Sequence, residues 1–458
     1  MTDQAMLDEA YSILERAIIT FQDKPVGTVA ASDPNLEAAN YAECFVRDFV
    51  PSALVFLIDD EPDIVRNFLR AALTLAGQQK VMAGHERALG LMPASFKVSK
   101  NEFGDEELVA DFGERAIGRV APVDSAMWWM ILLHIYTRIS GDTALAQRPE
   151  FQQGIRQILS LYLKESFETS PAMLVPDGSF MIDRRMGVYG HPLEIQSLFF
   201  GLLTVAQELL LPNNENLAII KMAEKRLQTL RSFVRMYFWL DKQRLNEIHR
   251  YKSEEFGLDV ENLFNIYPET IPEWIDGWLS DNCGYFVGDL SAGRMDFRLF
   301  SLGNLLAVLF DLSTEDQASN IMNLYAHQWD SLIGEMPVKI CYPAVTNREW
   351  EIRTGSDPKN VAWSYHNGGN WPTIIWPFVG AALKTGREDL AADALKQLRH
   401  RVSQDKWSEY YDGVRGTLIG RRSNFYQVWT VTGYILAEKF IHNEGRSADV
   451  LDALSFKL

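Results

Sequence analysis

From Ala5 to Phe21 the apolar residues recur at intervals of three and four, the spacing of a helix with one solvated face. After a polar loop, the stretch Tyr41-Ala-Glu-Cys-Phe-Val-Arg-Asp-Phe-Val-Pro-Ser leads into an almost uncharged helix over Ala53 to Ile58, and Glu61 to Gln79 is amphipathic again. The alternation repeats down the chain. Past an irregular segment from Lys80 to Arg119, Asp124 precedes an apolar helix containing Trp128 and Trp129, with Phe151 to Ser166 as its amphipathic companion. Asp183 to Leu211 and Asn216 to Trp239 form the next pair. A long insert, Asp241 to Gly293, delivers Arg294-Met-Asp-Phe-Arg-Leu-Phe-Ser-Leu-Gly-Asn, read as the start of a fourth apolar helix with Asp296 and Arg298 at its head; Glu315 to Leu332 is amphipathic. A fifth apolar helix opens at Tyr365-His-Asn-Gly-Gly-Asn-Trp-Pro and is followed by Asp389 to Val402, and a sixth opens at Ser423-Asn-Phe-Tyr-Gln-Val-Trp and closes near Glu438.

A helix without a polar face must be covered on all sides, whereas an amphipathic one needs only one covered face. Six apolar helices alternating with amphipathic ones therefore predict two concentric rings, an all-α (α/α)6 barrel. No Pro/Gly/Ser-rich linker divides the chain, so residues 1–458 are expected to form a single domain. The inner helices would run parallel and gather six N-termini on one face. The inserts at 80–121, 241–293 and 333–370 would crowd that face, carrying short β-like runs such as Pro337-Val-Lys-Ile-Cys-Tyr and Trp350-Glu-Ile-Arg.

Composition narrows the chemistry. Sixty-one acidic against 44 basic residues give a net charge of −17, and without a Lys/Arg-rich block neither nucleic acid nor a membrane surface is expected as partner. The longest apolar runs fall short of a membrane span, and the amphipathic N-terminal stretch lacks the pattern of a secretion signal; a cytoplasmic location is expected. Cys44, Cys283 and Cys341 show neither disulfide nor zinc spacing, and the eight histidines contain no His-Glu-x-x-His, so no metal or cofactor is expected.

The chemistry concentrates where polar residues precede the apolar helices. In MIDRRMGVYGHPLEIQSLFFGLL, the turn at Pro176-Asp177-Gly178 is followed by Asp183 and then by a long apolar helix. Around one shared mouth the barrel would bring together Asp48, Asp124, Asp183, Asp296 and Glu409 with Tyr41, Phe45, Trp128, Trp129 and Trp371. Gln196, His366, Asn367, Tyr410 and Asn424 join them as substrate-binding candidates, as do Arg47 and Arg298. Aromatic rings stack on the apolar faces of pyranoses, acids and amides bind hydroxyls, and a carboxylic acid with a carboxylate can cleave a glycosidic bond. Any single acid can instead cap an inner helix or pair with Arg47, Arg119, Arg184 or Arg298. A trehalase-like glucosidase would keep this chemistry and change the leaving group. An epimerase would need paired histidines, for which His191 and His366 are the candidates at the mouth, and a binding protein would need no second acid.

The runs RDFVPSAL, DFGERAIGRVAPVDSAMWWMILL, IDRRMGVYGHPLEIQSLFFGLL, RMDFRLFSLGN, GEMPVKICYPA, DPKNVAWSYHNGGNWP and EYYDG closely resemble those of the alkaline/neutral invertases, cytosolic glycoside hydrolases that split sucrose into glucose and fructose. The resemblance implies Asp183 as general acid, Glu409 as second catalytic carboxylate, the barrel fold, sucrose as substrate and a homo-oligomeric state. One departure lies at Asn424, where the family usually has arginine. The leaving-sugar subsite is expected to be altered there.

Overall fold

The computed structural model describes residues 2–33, 39–77, 89–114, 121–164, 168–169, 171–175, 178–182, 184–253, 268–291 and 294–457. Six inner helices, Val46–Ile58, Ser125–Ser140, Leu193–Leu209, Ser301–Leu309, Ile375–Lys384 and Val428–His442, each pack on the next, and the sixth packs back on the first. Six further helices, Asp3–Ala17, Pro62–Leu75, Pro149–Tyr162, Leu217–Phe233, Glu315–His327 and Glu388–Arg399, alternate with them along the chain and lie outside. The protein is an (α/α)6 barrel.

Burial follows the sequence pattern. In Leu193–Leu209 every residue is buried except Gln207 and Glu208, whereas Leu217–Phe233 buries only Ala223, Arg226, Leu227 and Leu230. Asp, Glu, Lys and Arg residues of the inner helices lie near their ends: Arg47 and Asp48 open the first, Arg138 closes the second, Glu194 opens and Glu208 closes the third, Lys384 closes the fifth, and Glu438 and Lys439 close the sixth. Outer helices carry their own start signals. Pro62 and Pro149 take the first helical position, where a missing N–H costs nothing, and Thr314 with Gln317 forms a reciprocal capping box.

The N-terminal face is built differently from its sequence expectation. Arg294–Phe300 is a strand, paired antiparallel with Gly284–Ser291, and the fourth inner helix begins only at Ser301. Met295, Phe297 and Leu299 alternate with Asp296 and Arg298, a period of two, and the acid–arginine pair is buried as well. Cys341–Tyr342 extends this sheet on one side and His191–Pro192 on the other, while Trp239–Asp241 also pairs with Gly284–Ser291. Trp350 to Arg353, read as β-like, lies in the helix Asn347–Thr354. The fifth inner helix starts at Ile375, later than Tyr365, because Trp363 and Tyr365 take positive φ (66° and 47°) and turn the chain across the mouth before Pro372 starts a short helical turn. Cys44–Phe45 runs into the first inner helix and pairs with the hairpin Ser95–Lys100/Glu106–Asp111.

Close packing of the ring depends on Gly303. A β-carbon there would stand 2.8 Å from the backbone N of Glu194, so the third and fourth inner helices would have to separate. Gly303→Ala is expected to destabilise the protein by about 1–3 kcal/mol, read as a lowered midpoint in denaturant unfolding. An unchanged midpoint would contradict this packing.

Candidate active site

A cavity of about 630 Å³ opens at the N-terminal end of the inner ring, lined among others by Tyr41, Arg47, Asp48, Met181, Trp371 and Glu409. Each arrives from a different part of the face. Tyr41 comes from the segment before the first inner helix, Arg47 and Asp48 from its first turn, Met181 from the run before the third, Trp371 from the turn before the fifth, and Glu409 from the loop before the sixth.

Glu409 is buried and held as a hydrogen-bond acceptor. Oε1 accepts from the Tyr41 hydroxyl at 2.7 Å, and Oε2 accepts from Asn424 Nδ2 at 3.1 Å and from its backbone N at 3.3 Å. In return the Glu409 backbone N donates to Asn424 O at 2.9 Å, so the loop locks on itself. Burial, with Glu409 nearby, pushes the Tyr41 hydroxyl well above its ordinary range. Tyr41 therefore stays a donor at any working pH.

Arg47 lies beside two carboxylates, with Nη1 2.7 Å from Asp124 Oδ2 and Nε 3.8 Å from Asp48 Oδ1. Asp124 occupies the cap position of the second inner helix, yet its side chain makes no capping bond and turns to Arg47 instead. Arg47 Nε and Asp48 Oδ1 are buried without a hydrogen-bond partner among the described residues. Buried polar atoms of this kind carry a free-energy cost that a ligand hydroxyl in the cavity would relieve. Burial pushes the Asp48 carboxyl up to about 7 against the pull of Arg47, with Glu409 and Asp124 adding to the rise.

An aromatic wall faces these acids. Trp371 lies 5.3 Å from Tyr410 at 20° and 5.1 Å from Tyr365, with His366 at 5.0 Å and Trp429 perpendicular at 5.7 Å. Acids, an arginine and flat rings sharing one cavity offer partners for hydroxyls and for the C–H side of a sugar ring.

The family model for alkaline and neutral invertase matches residues 10–444. An alkaline/neutral invertase of Arabidopsis thaliana is 49% identical over 440 residues, covering 96% of this chain and 79% of the relative. Cytosolic invertase 1 of Oryza sativa subsp. japonica is 48% identical, covering 96% and 78%. The chain belongs to the alkaline and neutral invertase family. It is thus a glycoside hydrolase. Among solved structures, a bacterial glucoamylase complexed with acarbose shares the fold at a TM-score of 0.58 and 10% identity; the match covers 98% of this chain and 57% of that one. A mannosylglycerate hydrolase from Thermus thermophilus in complex with glucose superposes at 0.56 and 12% identity, covering 95% of this chain and all of that one.

Within this invertase-family site the sequence candidates separate. Tyr41, Phe45, Arg47, Asp48, His366, Trp371 and Glu409 line the cavity. Trp128 borders a separate small pocket of about 30 Å³ that shares Arg47, Met181 and Trp429 with the cavity wall. Asp183, Arg119 and the side chain of Arg184 lie outside the described residues; Met181 and Arg185, close to Asp183 on either side, both line the cavity.

Other candidates are placed in the supporting structure. Trp129 turns outward, stacking on Phe151 and donating to Leu69 O. Asp296 is spent on Arg298 and on Arg353, 2.8 Å away, so it reaches the cavity only through Arg353, which lines it. Asn367 ties Val345 to Asn360, Gln196 binds the backbone of Met173, and the Tyr410 hydroxyl donates to Arg421 O. Asn424, expected near the leaving sugar, is bonded to Glu409.

Residues that sequence reasoning did not single out are Arg185, Arg353, Lys359, Tyr365 and Trp429, all on the cavity wall. The Arg185 guanidinium and the Lys359 ammonium both face the Tyr365 ring, at 5.2 and 3.8 Å from its centre. Arg185 and Lys359 fall inside runs that resemble the family, the one signal that pointed to them.

Asp48 makes stability depend on pH in a definite sense. Its folded carboxyl, near 7, holds a proton more tightly than an unfolded one near about 3.9, so its stabilising contribution is complete below about pH 4 and is lost as pH rises through 7. Asp48→Asn cannot ionise, and its melting temperature relative to the unsubstituted protein should climb between about pH 5 and pH 8. A difference that is flat or falls over that window would contradict the buried, poorly compensated carboxyl.

Proposed function

We propose that the protein hydrolyses sucrose to glucose and fructose with inversion at the glucosyl anomeric carbon. What carries the reading is Glu409, a carboxylate held by three donors at the edge of an aromatic-walled cavity. Family membership supports it, as does the word invertase in the names of the relatives. In this mechanism Asp183 gives its proton to the glycosidic oxygen as the bond from glucosyl C1 breaks, and fructose leaves as a neutral alcohol. Glu409 takes a proton from the water that attacks C1 from the opposite face. Inversion requires room for that water, hence carboxyl groups roughly 6.5–9.5 Å apart. Asp48 and Arg47, with unused buried hydrogen-bonding atoms, are assigned to sugar hydroxyls, and Trp371 and its neighbours to the ring face.

On this reading the whole chain is one catalytic unit that assembles with copies of itself in the cytoplasm. No helix among the described residues is long and apolar enough to cross a membrane, and the names of relatives place them in cytosol, mitochondria and chloroplasts. The epimerase alternative loses its pair of histidines. His366 lines the cavity, but His191 Nδ1 is 2.6 Å from Leu290 O in the sheet.

Incubation with sucrose should release equal amounts of glucose and fructose, while trehalose should stay intact. Asp183→Asn and Glu409→Gln should each lower kcat by about 10²-fold or more with circular dichroism unchanged; near-normal kcat in either would remove that residue from the mechanism. Tyr41→Phe deletes a hydrogen bond to a charged group, worth about 1.5–3 kcal/mol, and should cost at least ten-fold in kcat. Unaltered kcat would show that Tyr41 does not support Glu409.

A further inference from the structure

Glu194 is a carboxylate that the proposed reaction does not use. It sits in the first turn of the third inner helix, 2% exposed, in a run that is otherwise uncharged until Glu208. Its Oε1 accepts the backbone N–H of Met181 at 3.0 Å. Met181, with Ser179 and Phe180, forms part of the cavity wall, two residues before Asp183. A little further along the same helix, Gln196 accepts from Met173 N at 2.8 Å and donates to Met173 O at 3.0 Å. Two side chains of one rigid helix thus hold two points of the chain that leads to the acid's loop. The charged groups facing Glu194 are Asp124 and Arg47, the pair that also flanks Asp48.

A carboxylate is costly to bury, and Met181 N–H alone is small compensation, so burial, with Asp124 nearby, pushes the Glu194 carboxyl up to about 8 and it accepts this bond largely as the neutral acid. Glutamine would fill the same volume and accept the same bond at lower cost. What aspartate could not do is reach, being one methylene shorter.

We propose that Glu194 is a positioning residue of the hydrolytic site, which fixes the cavity-lining segment Ser179–Ile182 through Met181 N–H and thereby sets the placement of the general acid. The inference rests on the sucrose-hydrolase reading for its kinetic arm. Misplacement of a reacting group by about 1 Å can cost on the order of 10²-fold in rate, whereas sugar contacts from Trp371, His366 and Tyr365 come from another part of the chain and stay in place.

The test compares Glu194→Asp with Glu194→Gln in the full-length enzyme, using sucrose kinetics and hydrogen exchange of peptides covering residues 178–182. Aspartate keeps the carboxyl and loses the reach; it should lower kcat ten-fold or more, change KM less than three-fold, and speed exchange at Met181. Glutamine keeps the reach and cannot ionise, and should restore most of kcat together with slow exchange. The reverse order, with aspartate active and glutamine impaired, would show that charge rather than the acceptor matters and would overturn the proposal. Equal loss in both variants would overturn it as well. If the aspartate variant does not fold, exchange in the unsubstituted protein decides, because a Met181 amide exchanging as fast as an exposed one excludes the bond. Failure of the unsubstituted enzyme to cleave sucrose would defeat the functional reading alone, and the exchange arm would still judge Glu194.

Discussion

A helix enclosed on every side has nowhere to put a charge, and this constraint organises the whole molecule. Burying an unpaired ion costs several kcal/mol even after relaxation, so the six inner helices carry their Asp, Glu, Lys and Arg residues only near their ends. At the C-terminal end of the sixth those residues meet partners from neighbouring helices: Glu438 pairs with Arg399 of the outer ring, and Lys439 with Asp59 at the end of the first inner helix. At the N-terminal ends they are pressed together instead. Arg47, Asp48, Asp124 and Glu194 share one region, and of these Arg47 and Asp48, each with a buried atom that has no hydrogen-bond partner among the described residues, line the cavity. The barrel concentrates polar strain where a polyhydroxylated substrate would relieve it.

Loops finish the site by bonding to one another more than to the helices. Glu409 is fixed by Tyr41, 368 residues earlier in sequence, and by Asn424 across its own loop. Arg353 is steadied by Asp296 from the neighbouring strand. Such contacts make a pocket whose floor is set by helix packing and whose walls are set by long-range polar pairs.

The ring itself was legible in the sequence because full burial and half burial leave different periodicities, and those survive in a single chain. Glu409, Asp48, Tyr41 and Trp371 were legible for a related reason: polar and aromatic residues stood just ahead of helices that had no use for them. Arg294 to Phe300 misled because its alternation is short and runs directly into the apolar helix, so Asp296 and Arg298 read as that helix's polar head when they pair with each other within the sheet. Partnerships across space leave no local trace. Asn424 reads as a substrate contact until Glu409 is seen against it, and Glu194 reads as an ordinary first-turn acid until Met181 is seen donating to it.

The central claim is that an acid and a carboxylate act from opposite sides of one cavity on the glucosyl carbon. Early-time NMR of sucrose hydrolysis in oxygen-18 water addresses it most directly, since it reports both the anomer first formed and the atom that receives solvent oxygen. The account predicts β-glucose as first product, with the label at glucose C1. First-formed α-glucose, or label confined to fructose C2, would contradict it.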